Sequence, residues 1–341
     1  HPWRYPVWED TGVAPEQFVV HPAVAQWRDC LAALPGLEPL DVTRMAWRAH
    51  VFPAGAKCVV VVQISHALGD GTRSAALAAA LLGRRSAVPA VAEPERGFLP
   101  WRAFQAARAH RGVPAPVPPR PLCSVNARPG ATPVLRTLVV DRAALRTPTV
   151  SVAALSAIAE ALGGYLGARG EDVSRLGAEV PMAGPPNGDA RNNFRNVSID
   201  LHPELDRAER TVRIAAELDA ARRRGGHPAV AASAAAFAAV PAPLLRWGVG
   251  RFDPSARSPS VAAHTVVSSV NRGPADLSFG GCPVLLTAGF PALSPMMSLT
   301  HGVHGIGDAI AVSVHADPVN VDVDEYLDRL GRALDQAPGR P

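Results

Sequence analysis

An unbroken β-branched run that leads directly into a histidine constrains this chain more than any other feature. The run CVVVVQIS (58–65) is typical of a strand that is buried on both faces. HALGDG (66–71) follows it, and the apolar spacing in TRSAALAAALL (72–82) predicts a helix with Thr72 as its N-cap. The sequence therefore predicts a strand–loop–helix unit with a histidine and an aspartate in its loop, where catalytic groups are commonly carried.

The residue types in this loop suit proton transfer. Histidine titrates near neutral pH and offers a reachable lone pair, so His66 is a candidate general base. Asp70 can accept hydrogen bonds or pair with an arginine and thereby hold the shape of the loop. Gly71 is expected to allow a backbone geometry that a side chain would forbid. The pattern H-x-x-x-D-G is weak by itself, so an ordinary loop histidine is the alternative.

The remaining sequence predicts an α/β protein with mixed sheets. Helices are predicted over 99–111, 150–167, 205–224 and 323–336, strands over 132–141, 265–270 and 283–290, and a hairpin over 298–318. A length of 341 residues favours two domains. The Pro-rich stretch 113–131 is predicted to connect an N-terminal domain (1–112) to a C-terminal domain (132–341).

Composition argues against two classes of function. The formal net charge is +4, but aromatic residues make up only 5% and do not interleave with arginines, so nucleic-acid binding is not predicted. The cysteines are scattered without a C-x-x-C pair, so a zinc site is not expected: Cys30, Cys58, Cys123 and Cys282. His301 and His304 are spaced like metal ligands, but in a strand they would point to opposite faces.

Membrane contact is predicted to be peripheral at most. The chain opens HPWRYPVWED, which lacks the basic-then-apolar pattern of a signal peptide, and a cytoplasmic location is expected. The most apolar long window, 230–250, is mostly alanine and contains Pro241 and Pro243. It predicts a helix that ends near Val240, either packed on the protein or touching a membrane or lipid droplet with one face.

HALGDG after an apolar strand resembles the H-H-x-x-x-D-G motif of the coenzyme A-dependent acyltransferase superfamily. Further segments resemble, in order, the bacterial wax ester synthase/diacylglycerol acyltransferase family: PVWEDTGVAPEQFVV (6–20), LEPLDVTRMAWRAHVF (37–52), SSVNRGPADLSFGGCPV (268–284) and PALSP (291–295). The resemblance implies a two-domain fold like that of chloramphenicol acetyltransferase. Mixed sheets would be flanked by helices, with the active-site channel at the domain interface.

Three places depart from the family pattern. Ser65 stands where the motif has its first histidine, Met45-Ala46-Trp47 stands for Pro-Leu-Trp, and Ser151-Val152 stands for an Asn-Asp pair. His66 matches the second motif histidine, so the resemblance implies that the base is retained. These changes leave open an acyltransferase for a specialised metabolite, or a non-catalytic lipid-binding homologue.

The resemblance implies an O-acyltransferase that moves a fatty acyl group from acyl-coenzyme A to a lipid alcohol or diacylglycerol. Acyl-coenzyme A is then a co-substrate, with no bound cofactor. Ser268 or Ser269 would donate to the oxyanion, and Asn271 lies in the same segment. A strand-edge serine that bonds backbone is the alternative. Residues 192–196 correspond to a family G-N segment and are a candidate substrate loop, with ordinary loop polarity as the alternative.

Overall fold

The computed structural model describes residues 5–9, 11–85, 88, 97–111, 117–145, 148–184, 193–253 and 255–335. Its smaller sheet consists of β1 (Phe18–Val20), β2 (Trp47–Ala54) and β3 (Lys57–Ile64), in that order. β1 is parallel to β2, and β2 forms an antiparallel hairpin with β3. The predicted strand that precedes the HALGDG loop is therefore confirmed as β3. Its expected burial on both faces is wrong, because β3 pairs only with β2 and its residues are half-buried or exposed.

The larger sheet has six strands in the order β4-β11-β10-β7-β5-β6. Their bounds are Val134–Asp141 (β4), Gly177–Ala183 (β5), Phe194–Asp200 (β6), Thr265–Asn271 (β7), Leu299–Ile306 (β10) and Ala309–Ala316 (β11). A two-stranded ribbon of β8 (Ser278–Phe279) and β9 (Cys282–Pro283) stands apart. β10 runs parallel to β7, so the sheet is mixed as predicted.

The helices are α1 (Gly71–Leu81), α2 (Leu99–Ala109), α3 (Val150–Gly167), α4 (Arg207–Gly225), α5 (Pro228–Ala238), α6 (Ala242–Arg251) and α7 (Val323–Asp335). α3 is long and apolar enough to cross a membrane, but 72% of it is buried inside the protein. It lies at the centre of the main core, where Leu155, Ile158 and Leu162 are almost fully buried. Its apolar composition is that of a core helix.

The larger sheet has two differently covered faces. Its back face, which includes Val267, Val303 and Val312, packs against α3 and α7 in the main core. The opposite face, which we call the front face, meets the smaller sheet and α1. There, Leu135 of β4 shares a second apolar cluster with Phe52 of β2 and with Cys30 and Leu31 of a 3-10 helix (Trp27–Ala32).

One predicted strand is wrong. Residues 283–290 were expected to form a strand, yet after Pro283 they enter no ladder. The segment instead crosses the front face of β10. A Cβ added at Gly302 would overlap the backbone oxygen of Gly289, and Thr300 donates to Pro291 O at 2.6 Å. Val284 and Phe290 are half-buried and pack against the smaller apolar clusters, so packing on the sheet replaces pairing within it.

The predicted Pro-rich connection joins the larger sheet from residue 117 onward, while 112–116 lie outside the described residues. Arg120 is 1% exposed and bridges to Val261 through paired backbone hydrogen bonds. Its guanidinium donates to Ser198 Oγ at 2.7 Å and contacts Asp200. α2, from the predicted N-terminal domain, packs against α5. The division at 1–112, 113–131 and 132–341 stays a prediction.

Candidate functional site

His66 lies in the loop between β3 and α1, at the edge of the front face. The preceding strand is continued by one further hydrogen bond, from Ser65 N to Ala46 O at 2.9 Å. The His66 ring is exposed and lies 5.4 Å from the ring of Phe194, centroid to centroid. Phe194 begins β6 and is 39% exposed, so the two rings meet across the two sheets. An imidazole placed there can reach a hydroxyl that enters along the front face.

Asp70 hydrogen-bonds the loop to α1 and to the start of β6. It is 7% exposed, and its Oδ1 accepts from Arg73 N at 2.9 Å, which makes it the N-cap of α1. Its Oδ2 accepts from the backbone N–H of Asn193 at 2.9 Å, just before β6. Both carboxylate oxygens are thus used in positioning. The prediction of Thr72 as the N-cap is wrong, because Asp70 satisfies the first free N–H groups of a helix that begins earlier.

The neighbouring motif residues have local roles. Ser65 Oγ accepts from Ala67 N at 3.3 Å, which tightens the turn before the helix. Gly71 begins α1 without a left-handed backbone, and a Cβ there would lie 3.9 Å from Val270 Cγ2. The expectation that Gly71 needs a backbone geometry forbidden to other residues is therefore wrong. Because Gly71 lies this close to Val270, the start of α1 packs over β7.

Strand register separates the two candidate serines. Ser268 shares the front face with Val270, because side chains two residues apart on a strand point the same way. It lies about 7 Å from Val270 along β7. Ser269 points to the back face, where its Oγ lies 2.8 Å from Ser151 Oγ of α3. Only Ser268 can therefore face a ligand between the two sheets.

Asn271 ends β7 and starts the turn that follows. Its Oδ1 accepts from Gly273 N at 3.0 Å, so the side chain stabilises the turn. Arg84, beyond the end of α1, holds the same turn from the other side. It donates to Arg272 O at 2.6 Å and to Pro274 O at 3.1 Å, and it pairs with Asp276. Sequence reasoning missed Arg84, since no local pattern joins residues 192 positions apart.

Small polar groups cross the centre of the front face. Ser268 pairs with Gly302, Gly302 with Ser313, and Ser313 with Thr137 across four neighbouring strands. Toward the other edge, Glu179 of β5 lies on the same face and accepts from Asn196 Nδ2 of β6. Burial raises the pKa of the Glu179 carboxyl, and the Asn196 hydrogen bond opposes that shift.

His301 and His304 do point to opposite faces, as the strand spacing predicts. His301 is fully buried at the back, 2.9 Å from Thr265 Oγ1 and 2.6 Å from the Tyr326 hydroxyl. His304 lies at the front against Gly289, and its Nδ1 has no hydrogen-bond partner. Burial lowers both pKa values to about 3, and the Arg272 charge adds to the shift at His304. Within the described ranges, no group of three or more His, Cys, Asp or Glu side chains could hold a metal ion.

The departures from the family pattern lie in structural positions. Trp47 begins β2 and packs edge-on against Phe18, with ring centroids 5.6 Å apart. Ser151 forms the contact with Ser269, and Val152 is buried in the main core. In the candidate loop 192–196, Asn192 lies outside the described residues. Asn193 binds Asp70, and Asn196 binds Glu179.

Residues 191–337 match the family model of the WS/DGAT C-terminal domain. The chain is similar to this family over 191–337, which is less than half of its length. The resemblance to the wax ester synthase/diacylglycerol acyltransferase family is thereby confirmed. Ser268, Ser269 and Asn271 lie inside the WS/DGAT C-terminal domain, whereas His66 and Asp70 belong to the segment before it. No curated protein matches the sequence.

Solved structures share the fold of nearly the whole chain. The wax ester synthase/diacylglycerol acyltransferase from Marinobacter aquaeolei VT8 matches with a TM-score of 0.60 at 18% identity, covering 96% of this chain and 81% of that one. The starter condensation domain of rhizomide synthetase RzmA, in complex with C8-CoA, matches with a TM-score of 0.53 at 15% identity, covering 97% and 77%. The predicted two-domain α/β fold is confirmed.

Proposed function

We propose that this chain transfers a fatty acyl group from acyl-coenzyme A to the hydroxyl of a lipid alcohol or diacylglycerol, with His66 as the general base. One observation carries the proposal. Asp70 ties the HALGDG loop to Asn193, so the exposed His66 ring lies beside Phe194 at the edge of the front face that also bears Ser268. The proposed enzyme is cytoplasmic and meets its acceptor at a membrane or lipid-droplet surface.

The reaction needs one proton acceptor and one oxyanion donor. His66 takes the proton of the acceptor hydroxyl as its oxygen attacks the thioester carbonyl. The Ser268 hydroxyl donates a hydrogen bond to the oxyanion of the tetrahedral intermediate. When the intermediate collapses, the carbon–sulfur bond breaks, and the imidazolium returns the proton to the leaving thiolate. Ester and free coenzyme A are the products, and the base is regenerated.

Acyl-coenzyme A is the proposed donor because proteins of this fold bind it. Structures of the starter condensation domain of RzmA hold C8-CoA. The WS/DGAT match supports a lipid hydroxyl as the acceptor, since the family is named for wax ester and diacylglycerol acyl transfer. Both substrates would approach His66 along the front face at β6, where Phe194 is 39% exposed.

Thiol release tests the proposal. The purified chain is incubated with palmitoyl-coenzyme A and either hexadecanol or diacylglycerol, while free coenzyme A and ester are measured together. Wild type is expected to form both in equal amounts, and His66→Ala to lose at least about a hundredfold in rate. His110→Ala, at an exposed histidine at the end of α2, is the matched control. Equal rates for wild type and His66→Ala would refute the role of His66. Binding of acyl-coenzyme A without turnover would indicate the non-catalytic homologue.

A specialised metabolite is the second candidate acceptor. The front face carries polar side chains at Glu179, Asn196 and Ser268. An alkyl chain would bind better to apolar side chains. An acceptor with several hydroxyls could bind these polar groups. In a screen that includes polar alcohols, Glu179→Leu should lower the rate with the polar acceptor and not the rate with hexadecanol. Turnover of long-chain alcohols alone would reject this candidate.

A further inference from the structure

Unpartnered polar atoms gather around the segment that crosses β10. We call residues 284–291 the crossing segment. Among the described residues, seven buried side-chain nitrogen or oxygen atoms have no hydrogen-bond partner. Four of the seven lie on the crossing segment or beside it: Arg272 Nε, Thr287 Oγ1, His304 Nδ1 and His315 Nε2. Buried polar groups normally have a partner, so this concentration points to a ligand that supplies one.

Arg272 is a charged group without a counterion. It follows the end of β7, and its backbone N–H donates to Gly305 O at 2.7 Å, which sets it next to β10. The nearest acid along the chain, Asp276, pairs with Arg84 instead. In the part of the chain that the structure describes, no carboxylate forms an ion pair with Arg272, and burial lowers the pKa of its guanidinium. A desolvated cation is costly, and an anionic ligand would offset that cost.

His304 brings a second unpartnered atom to the same region. Its side chain is 5% exposed and lies against Gly289 of the crossing segment, where an added Cβ would overlap the ring. His304 precedes Gly305 on β10, and the Arg272 charge contributes to lowering the pKa of the ring to about 3, so the two side chains are close. The ring is therefore neutral and offers one N–H donor without a charge. Thr287, two residues before Gly289, adds a hydroxyl.

These groups together match a carboxylate. The planar guanidinium of Arg272 fits two carboxylate oxygens, and its single positive charge balances a single negative charge. A phosphate dianion would need a second cation, which the neutral His304 ring does not supply. Ile306, two residues further along β10, is buried with Leu277 in a small apolar cluster that Val284 of the crossing segment joins. These surroundings favour a carboxylate on an apolar chain over a free inorganic ion.

We propose that Arg272, with His304 and Thr287, binds the carboxylate of an acidic lipid beneath the crossing segment. Arg272 forms the ion pair, and the Nδ1–H of His304 and the Thr287 hydroxyl donate to the same carboxylate. The carboxylate belongs either to a hydroxy acid that serves as the acceptor, which rests on the proposed acyl transfer, or to a free fatty acid. Binding itself does not involve His66, so it can be tested without turnover.

Titration calorimetry tests the site. The full chain is titrated with dodecanoate, with dodecanol as the chain without a carboxylate, and with inorganic phosphate as the anion without a chain. Wild type is expected to bind dodecanoate more tightly than either. Arg272→Gln should weaken dodecanoate binding at least about tenfold. Arg272→Lys keeps the charge without the planar fork and should fall between the two. His304→Leu should weaken binding roughly three- to tenfold.

Matched variants separate binding from folding and from catalysis. Arg332→Gln, at an exposed arginine of α7, should bind dodecanoate as wild type does. Arg272→Gln breaks no ion pair, so thermal unfolding without ligand should find it at least as stable as wild type. His66→Ala should bind dodecanoate normally, so a failure of acyl transfer would not affect this measurement.

The source of the carboxylate is decided by turnover. Acyl transfer to 12-hydroxydodecanoate that Arg272→Gln selectively loses, while transfer to dodecanol is unchanged, would assign the carboxylate to the acceptor. Binding of dodecanoate without such transfer would assign it to a free fatty acid. Equal dodecanoate binding by wild type and Arg272→Gln would overturn the inference. Tighter binding of inorganic phosphate would do the same, and so would no binding at all, because water would then satisfy these buried atoms.

Discussion

Asp70 Oδ2 accepts a hydrogen bond from the backbone N–H of Asn193 at 2.9 Å, and this bond joins the loop after β3 to the start of β6. The other oxygen of the same carboxylate caps α1. One buried side chain therefore fixes the helix, the loop and the neighbouring sheet with respect to one another. His66 is four residues away, so its position depends on this carboxylate without contacting it.

Replacing Asp70 should affect both stability and acyl transfer. Asp70→Ala removes a helix cap and leaves the Asn193 N–H without this acceptor, at a cost of about 1–3 kcal/mol in the free energy of unfolding. The rate of acyl transfer should fall at least about tenfold, because His66 is no longer held in place. Urea unfolding and thiol release measure the two effects.

Asp206 provides a matched control for the Asp70 variant. It caps α4 by accepting from Glu209 N at 2.9 Å, far from the front face. Asp206→Ala should lose stability in the range usual for a cap, roughly 0.5–2 kcal/mol, and keep the wild-type rate. If the two variants reduced the rate equally, the positioning role of Asp70 would be wrong.

The two serines of β7 should differ in kinetics. Ser268→Ala removes the front-face hydroxyl and should lower kcat by about 10²–10³ with little change in KM. Ser269→Ala removes only the contact with Ser151, so it should cost about 1 kcal/mol of stability and leave kcat unchanged. Steady-state kinetics on both variants decide the matter. A larger kinetic loss for Ser269→Ala would contradict the strand register described above.

His301, one of two buried histidines of β10, should make stability depend on pH. Burial lowers the pKa of His301 to about 3, whereas an unfolded histidine titrates near 6.5. Between these values the unfolded chain binds a proton that the folded chain does not. Stability should therefore fall as the pH drops below about 6.5, by about 1.4 kcal/mol per pH unit for this group.

His301→Gln removes that titration. Between about pH 6 and pH 4, its free energy of unfolding should fall less steeply than that of wild type. The difference in slope should be about 1.4 kcal/mol per pH unit, the value for one proton. It should also be less stable than wild type at neutral pH, because the contacts with Thr265 and Tyr326 are weakened. His110→Gln, at an exposed position, should keep the wild-type slope. An unchanged slope in His301→Gln would mean that this histidine is not kept neutral.

Two glycines should respond oppositely to alanine. A Cβ at Gly302 would overlap the Gly289 oxygen where the 284–291 segment crosses β10, so Gly302→Ala should destabilise by roughly 1–3 kcal/mol. Gly331, inside α7, has open space at its Cβ position, so Gly331→Ala should stabilise by about 0.5–1 kcal/mol. Thermal unfolding compares them. A neutral Gly302→Ala would mean that the crossing segment can move aside.

Local patterns predicted most of the elements. The helix 150–167 follows from its content of alanine and leucine, and the hairpin after 298 follows from the glycines at its turn. The strand prediction for 283–290 was wrong because a short apolar run has the same sequence pattern whether it pairs in a sheet or packs across one. Periodicity cannot show that Gly289 and Gly302 meet.

The site was predictable only where its residues are adjacent in sequence. His66 and Asp70 stand out because the strand, loop and helix follow one another. The sequence could not predict the contacts made by Asn193, Phe194 and Arg84, because these contacts join parts of the chain that only folding brings together. Choosing Ser268 over Ser269 likewise needed the register of β7 against β10.

The buried Arg120 determines where this protein can be divided. Its guanidinium, with Ser198 and Asp200, fastens the segment before β4 to β6, and the space above Gly177 is filled by it. A fragment starting at 132 would lack this arginine and expose the strand ends that it covers. A C-terminal fragment meant to fold independently should therefore start no later than 117, ahead of the last prolines.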